Sequence, residues 1–196
     1  MTPAERHRVV ADQFAARVAG TEDWDAPTPV PGWAARDVVR HLVTWLPGLL
    51  DSRGWPSVPA APSSPPSSPP SSMVDEDPAG AWRAHAEAVQ ELLDGPGGEV
   101  AIDDPFLGGG SLGGLVDRIY TTDVFLHTWD LARATGQDDT LDAEACAGLL
   151  AGMPEMEGPM RASGQFGPRV PVPDDAPVQD RLIGFIGRDP GWRPPA

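Results

Sequence analysis

Lysine and asparagine are missing altogether from this 196-residue chain. Its 14 basic residues are therefore all arginine, set against 29 acidic ones for a formal net charge of −15. Proteins that grip nucleic acid do so with clustered Lys and Arg. No basic stripe occurs here, so nucleic acid is excluded as an expected partner. The two missing residue types read as the codon usage of a GC-rich genome. Cysteine is nearly absent as well: Cys146 stands alone and cannot form an internal disulfide, which fits a reducing compartment. It lies in Asp142-Ala-Glu-Ala-Cys-Ala-Gly-Leu-Leu150 with no basic neighbour in sequence to lower its pKa. A buried structural thiol is expected there rather than a reactive nucleophile. Long apolar runs are also lacking. None reaches the roughly 18–20 residues needed to span a bilayer, and the N-terminus opens an amphipathic helix instead of a signal-peptide core. The expectation is a cytoplasmic protein with no membrane partner.

What is present suffices for a core: 40% hydrophobic residues, seven of them tryptophan, make one domain over 1–196 the expected organisation. Thr2-Pro-Ala-Glu5 reads as a capping box with proline in the first turn. It predicts a helix to about Gly20, with Val10, Phe14 and Val18 inward and His7, between Arg6 and Arg8, on the surface. Trp24 to Gly32 reads as a loop. A second helix is expected over about Ala34 to Leu50, with Asp37 in its first turn and Pro47 bending or shortening its end. Residues 53–78 are a break around the low-complexity tract 61–72 of Pro and Ser. A disordered or extended loop, tolerated as an insertion, is expected, with a ligand for a proline-recognition module as the alternative.

Asp77-Pro78 starts a third long helix carrying Trp82, Ala86, Val89 and Leu93 at helical spacing and ending at Gly95 to Gly98. Glu99 to Ile102 suits a short strand. Phe106 to Gly114 reads as a flexible glycine-rich turn, since it lacks the lysine of a phosphate loop and the spacing of a dinucleotide fingerprint. Ser111 should cap the longest helix, which Gly136 stops after Thr135. Leu141 to Met153, a short helix near Met156 to Ala162, an irregular proline-rich tail over 164–177 and a last helix from Val178 to Ile186 complete the chain, with about 155–196 as a C-terminal extension. The predicted class is all-α: four core helices with short C-terminal helices and a proline-rich tail.

His41, Asp123 and His127 carry the chemistry. Asp123-Val-Phe-Leu-His127 places a carboxylate and an imidazole on one helix face, in line with the apolar row Leu112, Val116 and Ile119. His41 sits among Val38, Leu42, Trp45 and Leu49. A polar group left unpaired in a core costs roughly 1–3 kcal/mol, and one divalent cation satisfies all three. Helical bundles build metal sites from inward side chains on facing helices. Two nitrogens and an oxygen suit Zn²⁺, with Ni²⁺, Fe²⁺ and Mn²⁺ also compatible, and three protein ligands leave coordination positions open. Taken singly, a core histidine satisfied by packing and a local Asp–His pair remain the alternatives. His85 borders the Trp82–Val89 face, where packing is expected. Trp45, Trp82 and Trp129 line a pocket or pack the core. Asp130 and Arg133 support the site or form a surface ion pair.

Pro31-Gly-Trp-Ala-Ala-Arg-Asp-Val-Val-Arg-His-Leu42 and Asp123-Val-Phe-Leu-His-Thr-Trp-Asp-Leu-Ala-Arg-Ala-Thr-Gly136 resemble the two signatures of the DinB-like superfamily. The nearer resemblance is to the branch of mycothiol-dependent maleylpyruvate isomerase, in its N-terminal metal-binding domain, and within it to small actinobacterial metal-binding proteins. Arg161-Ala-Ser-Gly-Gln-Phe-Gly-Pro168, Val170-Pro-Val-Pro-Asp174 and Phe185-Ile-Gly-Arg-Asp-Pro-Gly-Trp192 resemble that group too. The resemblance implies a four-helix bundle holding a divalent metal, commonly zinc, with His41 and His127 at the two signature histidines. Asp123 stands where the isomerase carries a glutamate, one methylene longer. Ala34 stands where relatives often place a capping Ser or Thr.

The isomerase has a separate C-terminal domain that helps hold substrate, and a short tail takes its place here. The resemblance therefore implies a metal site and mycothiol as thiol cofactor more firmly than maleylpyruvate isomerisation itself. The expected function is a metal-dependent enzyme that uses a low-molecular-weight thiol for transfer or isomerisation of a small electrophilic substrate. Metal-bound thiol loses its proton at neutral pH and attacks a substrate held near Trp45 and Trp129; no general base is identified. A metal-dependent hydrolase, a non-catalytic metal or small-molecule binding bundle, and a partner-binding module with the Pro/Ser arm are the alternatives. Expected partners are a small-molecule substrate and a thiol, with the chain a monomer or a homodimer.

Overall fold

Thr2 opens the first helix in the predicted way: its hydroxyl accepts from Glu5 N while a Glu5 carboxylate oxygen accepts from Thr2 N. The computed structural model describes residues 1–58 and 70–195. Helices dominate: α1 (Pro3–Ala19), α2 (Ala35–Arg53), α3 (Pro70–Glu76), α4 (Pro78–Asp94), α5 (Leu112–Val116), α6 (Thr122–Thr135), α7 (Ala143–Ala162) and α8 (Val178–Phe185). The strands among the described residues are β1 (Ala101–Asp104) and β2 (Gly108–Ser111), paired antiparallel from Ala101 opposite Ser111 to Asp104 opposite Gly108. No helix among the described residues is long and apolar enough to cross a membrane.

Four long helices surround the main core. α1 packs on α4 and α6, α2 packs on the same two, and α3 lies beside α2 and α4. Val10, Phe14, Val38, Leu42, Leu46, Trp82, Val89, Leu115, Val124 and Trp129 fill the space between them, all buried. Phe14 and Trp82 meet edge to face with ring centroids 4.4 Å apart, a favoured aromatic geometry. α7 packs on α8, and Leu182, Ile183, Phe185 and Ile186 join the same buried cluster.

Several expectations need correction. The break at 53–78 is shorter than the composition suggests. α2 runs through Pro47 to Arg53, Val58 is buried, and α3 with buried Val74 occupies much of the rest. The disordered Pro/Ser loop falls mostly on residues 59–69, which lie outside the described residues. The glycine-rich 106–114 stretch is no free turn. Gly108 to Ser111 form β2, and Asp104 Oδ1 accepts from the amides of Phe106 and Leu107 at 2.9 Å to hold the hairpin. Leu141–Met153 and Met156–Ala162 are not separate helices, because α7 continues through Pro154 and Pro159. Cys146 is fully buried and its thiol is pushed up to about 11 by that burial and then by Asp142.

His7 is the clearest reversal. It is buried, with Thr121 Oγ1 3.3 Å from its Nδ1 and the Tyr120 ring 5.9 Å away. The flanking arginines face outward on either side: Arg6 bonds Asp117 and Arg8 bonds Asp94. His85 is buried alongside, its Nε2 2.8 Å from the Tyr120 hydroxyl. Burial holds the His7 imidazole down to about 4 and that of His85 to about 3.

The long helix expected from Ser111 to Thr135 is continuous but not uniform. Ser111 caps it by accepting from Gly114 N, and Gly136, at φ 68°, ends it. Between α5 and α6 lies one wide π turn, Asp117–Thr121. The extra residue per turn shifts the inward row, so that Leu112, Val116, Tyr120 and Val124 are fully buried while Ile119 is only partly so. π turns inside α-helices are found mainly at functional sites.

Candidate metal centre

Three different segments bring the site together. α2 presents His41, and α6 presents Asp123 and His127 one turn apart, immediately after the π turn. The loop before α2 supplies Trp33. Its amide donates to Val30 O at 3.1 Å across Pro31-Gly32, with Gly32 at φ 80°. That is the type II turn that Pro-Gly favours. The same loop compensates for the absence of a capping side chain at Ala34. Ala26 O and Trp24 O accept from the amides of Ala35 and Arg36, and the Asp37 carboxylate accepts from Ala34 N.

One donor atom from each of His41, Asp123 and His127 can be chosen so that all lie within 4.8 Å of one another. His41 Nε2 lies 2.9 Å from Asp123 Oδ2, and the same oxygen accepts from Trp45 Nε1 at 3.0 Å. His127 Nε2 stands 3.5 Å from Asp123 Oδ1, beyond good hydrogen-bonding range. The two imidazole rings meet edge to face at 5.0 Å. The Trp33 ring stacks on His127 at 5.7 Å and tilts against His41 at 5.1 Å. His127 is buried, while the side chains of His41 and Asp123 keep 29% and 21% of their surface. The site is therefore walled on the core side and reachable from solvent past its first histidine.

Asp130 lies behind His127 and is fully buried. Its Oδ2 is 2.9 Å from His127 Nδ1, which assigns Nδ1 as the protonated nitrogen and leaves Nε2 facing Asp123. Arg188 donates to Asp130 twice, from Nε at 3.3 Å and Nη2 at 3.2 Å. Burial opposes ionisation of Asp123, but the charges and hydrogen bonds of His127, His41 and Trp45 outweigh it and hold the carboxyl below its ordinary range. Burial likewise opposes charge on Asp130, and Arg188 and His127 reverse the effect. His127 is raised: burial works against its charged form, and Asp123 and Asp130 overcome it. A buried carboxylate, Asp130, and a partly buried one, Asp123, flank one imidazole, an electrostatic field that favours a cation.

Residues 7–132 match the mycothiol maleylpyruvate isomerase N-terminal domain. The chain belongs to that family. Two uncharacterized proteins, from two strains of Mycobacterium tuberculosis, are each 33% identical to it over 192 residues, covering 96% of this chain and 98% of their own length. No solved structure matches it significantly.

Within this mycothiol maleylpyruvate isomerase N-terminal domain, the aromatic and charged residues around the trio divide between site and core. The three predicted site residues are brought together, although His41 and Asp123 sit at the rim and not deep in the core. Trp45 reaches the site through Asp123. Trp129 and Trp82 do not: both are about 1% exposed inside the core. Arg133 lies over Trp129 and pairs with Asp139, away from the trio. His85 is one layer behind, separated from Trp45 by Tyr120, whose ring is 5.6 Å from each. Trp33 and Arg188 are the site residues that pattern reading did not single out. Trp33 sits in a loop without periodicity, and Arg188 is 58 positions from its partner Asp130.

Proposed function

We propose that this protein is a divalent-metal-binding, DinB-like four-helix bundle, formed by α1, α2, α4 and α6. In this reading it acts as a metal-dependent enzyme on a small electrophilic substrate with a low-molecular-weight thiol of the mycothiol type. The observation that carries the reading is the donor set itself. An ionised carboxylate lies between two imidazole nitrogens, and one of these is already oriented by a second buried carboxylate. That arrangement fits a cation of the zinc class, which accepts two nitrogens and an oxygen. Carboxylate backing of a ligating histidine is the usual support of such sites.

His41, Asp123 and His127 would hold the ion, and a bound divalent cation supplies acidity to a coordinated thiol or water. The protein's own contributions follow from its contacts. Trp45 Nε1 orients the Asp123 carboxylate by donating to it. Asp130 keeps the His127 proton on Nδ1. Trp33 packs against both imidazole rings and limits water on the face that it covers. The partly exposed edge of His41 and Asp123 is the side from which a thiol and substrate can enter. Cys146 is buried with a raised pKa, so the chain supplies no nucleophilic thiol of its own among its described residues; a thiol has to come from outside.

The test is metal content by mass spectrometry of the purified protein, followed by thiol-dependent consumption of a model electrophile with and without chelator. Stoichiometric metal in the parent and its loss in both His41→Ala and His127→Ala are expected. Full stoichiometry in both variants sinks the site. Metal without any thiol or electrophile turnover favours the non-catalytic binding bundle.

A further inference from the structure

The family match ends at residue 132, yet a side chain well beyond it reaches the metal centre. We propose that Arg188 is a positioning residue of that centre, acting through Asp130 on His127, so that the C-terminal segment is a functional part of the site. The proposal rests on the metal reading given above.

Asp130 is fully buried and bonded on one side to His127 Nδ1 at 2.9 Å. On the other side both of its oxygens accept from the Arg188 guanidinium. A two-pronged contact of this kind fixes the plane of a carboxylate as well as its position. The plane of Asp130 in turn sets the ring orientation of His127 and therefore the direction of its Nε2. The Arg188 side chain is itself 11% exposed and has little room to swing.

The backbone around Arg188 is built to hold it. Its amide donates to Ile183 O at 3.0 Å, closing the end of α8. Gly187 has φ 90°, and a Cβ there would meet Gly167 O at 2.8 Å, so the two strands of chain touch backbone to backbone. Val170 N donates to Gly184 O at 2.9 Å, and Arg161 donates to the carbonyls of Gly167 and Phe185. The 161–188 region thus forms one hydrogen-bonded wrap whose inward-pointing charge is Arg188. A tail serving only to cover apolar surface needs no arginine at this position, and a buried ion pair contributes weakly to stability compared with apolar packing.

Three variants test this in the full chain: Arg188→Gln, Arg188→Lys, and the neutral pair Asp130→Asn with Arg188→Gln. The last leaves no unpaired buried charge and guards against misfolding. Circular dichroism of each apo protein establishes folding. Co²⁺ is then titrated, reading the visible absorption band and the dissociation constant by chelator competition. Loss of support behind a ligating histidine typically weakens metal binding about 10- to 100-fold. A loss of that size is expected for Arg188→Gln and for the neutral pair, with a changed Co²⁺ band, and partial recovery for Arg188→Lys.

Affinity within about two-fold of the parent in the folded variants overturns the proposal while leaving the metal reading intact. Tighter binding in Arg188→Gln also overturns it, since that would mean the arginine acts only as a positive charge opposing the ion. A parent that takes up no Co²⁺ sinks the metal reading and this proposal together.

Discussion

Acid should loosen this protein in a pH range set by two histidines that are not part of the donor trio. His7 sits at about 4 in the folded protein because it is buried, against roughly 6.5 in an unfolded chain. The unfolded state therefore takes up a proton on this residue between pH 6.5 and 4 that the folded state refuses. Stability is fully present above 6.5 and is lost as pH falls through that interval. The displacement corresponds to roughly 3 kcal/mol for His7 alone, with a slope of at most about 1.4 kcal/mol per pH unit. His85, held to about 3, adds to the same side, and the nearby His7 charge opposes its protonation further.

Other shifted groups do not blur the window. Asp123 and Asp130 are lowered carboxylates, so their contributions disappear only below about 3.9. His127 is raised, so its contribution is complete below about 6.5 and fades only at higher pH. The assay is urea unfolding of chelator-treated protein at pH 7.5, 6.5, 5.5 and 4.5, comparing the parent with His7→Gln, which keeps a hydrogen-bonding side chain but cannot titrate there. The parent should lose stability across the lower two steps, from pH 6.5 to 5.5 and from 5.5 to 4.5, and the variant should show a slope smaller by roughly 1 kcal/mol per pH unit. A parent flat from pH 6.5 to 4.5, or equal slopes in the two proteins, refutes the reasoning.

Adding Zn²⁺ at 100 times its dissociation constant should raise the unfolding free energy by about 2.7 kcal/mol, an increment absent from His127→Ala in the same calorimetric scan. Gly187→Ala forces a side chain into φ 90° against Gly167 and should cost on the order of 1–3 kcal/mol, seen as a lower midpoint in urea. Tyr120→Phe removes the partner of His85 Nε2 and should cost roughly 1–3 kcal/mol with metal stoichiometry unchanged. Ala34→Ser, usually a gain near 1 kcal/mol at a helix start, should change stability by less than about 0.5 kcal/mol. Ala26 O and Trp24 O already accept from the first amides of α2; a full cap-sized gain in thermal unfolding contradicts that view.

Much of the helical content was legible because its signals are local. Thr2–Glu5, Asp77-Pro78 and Gly136 start and stop helices where their chemistry requires it. The trio was legible for the same reason: Asp123 and His127 are a turn apart, and His41 sits in a helical row of its own. What escaped is what local periodicity cannot encode. The flanking Arg6 and Arg8 point to a surface position for His7, although its spacing to Val10, Ala11 and Phe14 puts it on the buried face. The π turn hides because one extra residue leaves composition unchanged while exchanging Ile119 for Tyr120 in the interior. Arg188 and Trp33 reach the site through tertiary packing, and nothing near them in sequence announces it. Helices also continue through proline here: α2 passes through Pro47, and α7 through Pro154 and Pro159.

The wide turn ahead of Asp123 also sets the rotation of one half of a single rod against the other. Asp123, His127 and Asp130 ride on the same unbroken length of α6, so they keep their mutual spacing however that length is rotated. Losing one residue upstream would swing all three by about 100° around the axis, away from His41 and Arg188 together. Length changes within residues 112–121 are therefore expected to switch the centre off as a block, whereas equal-length substitutions there leave its aim unchanged.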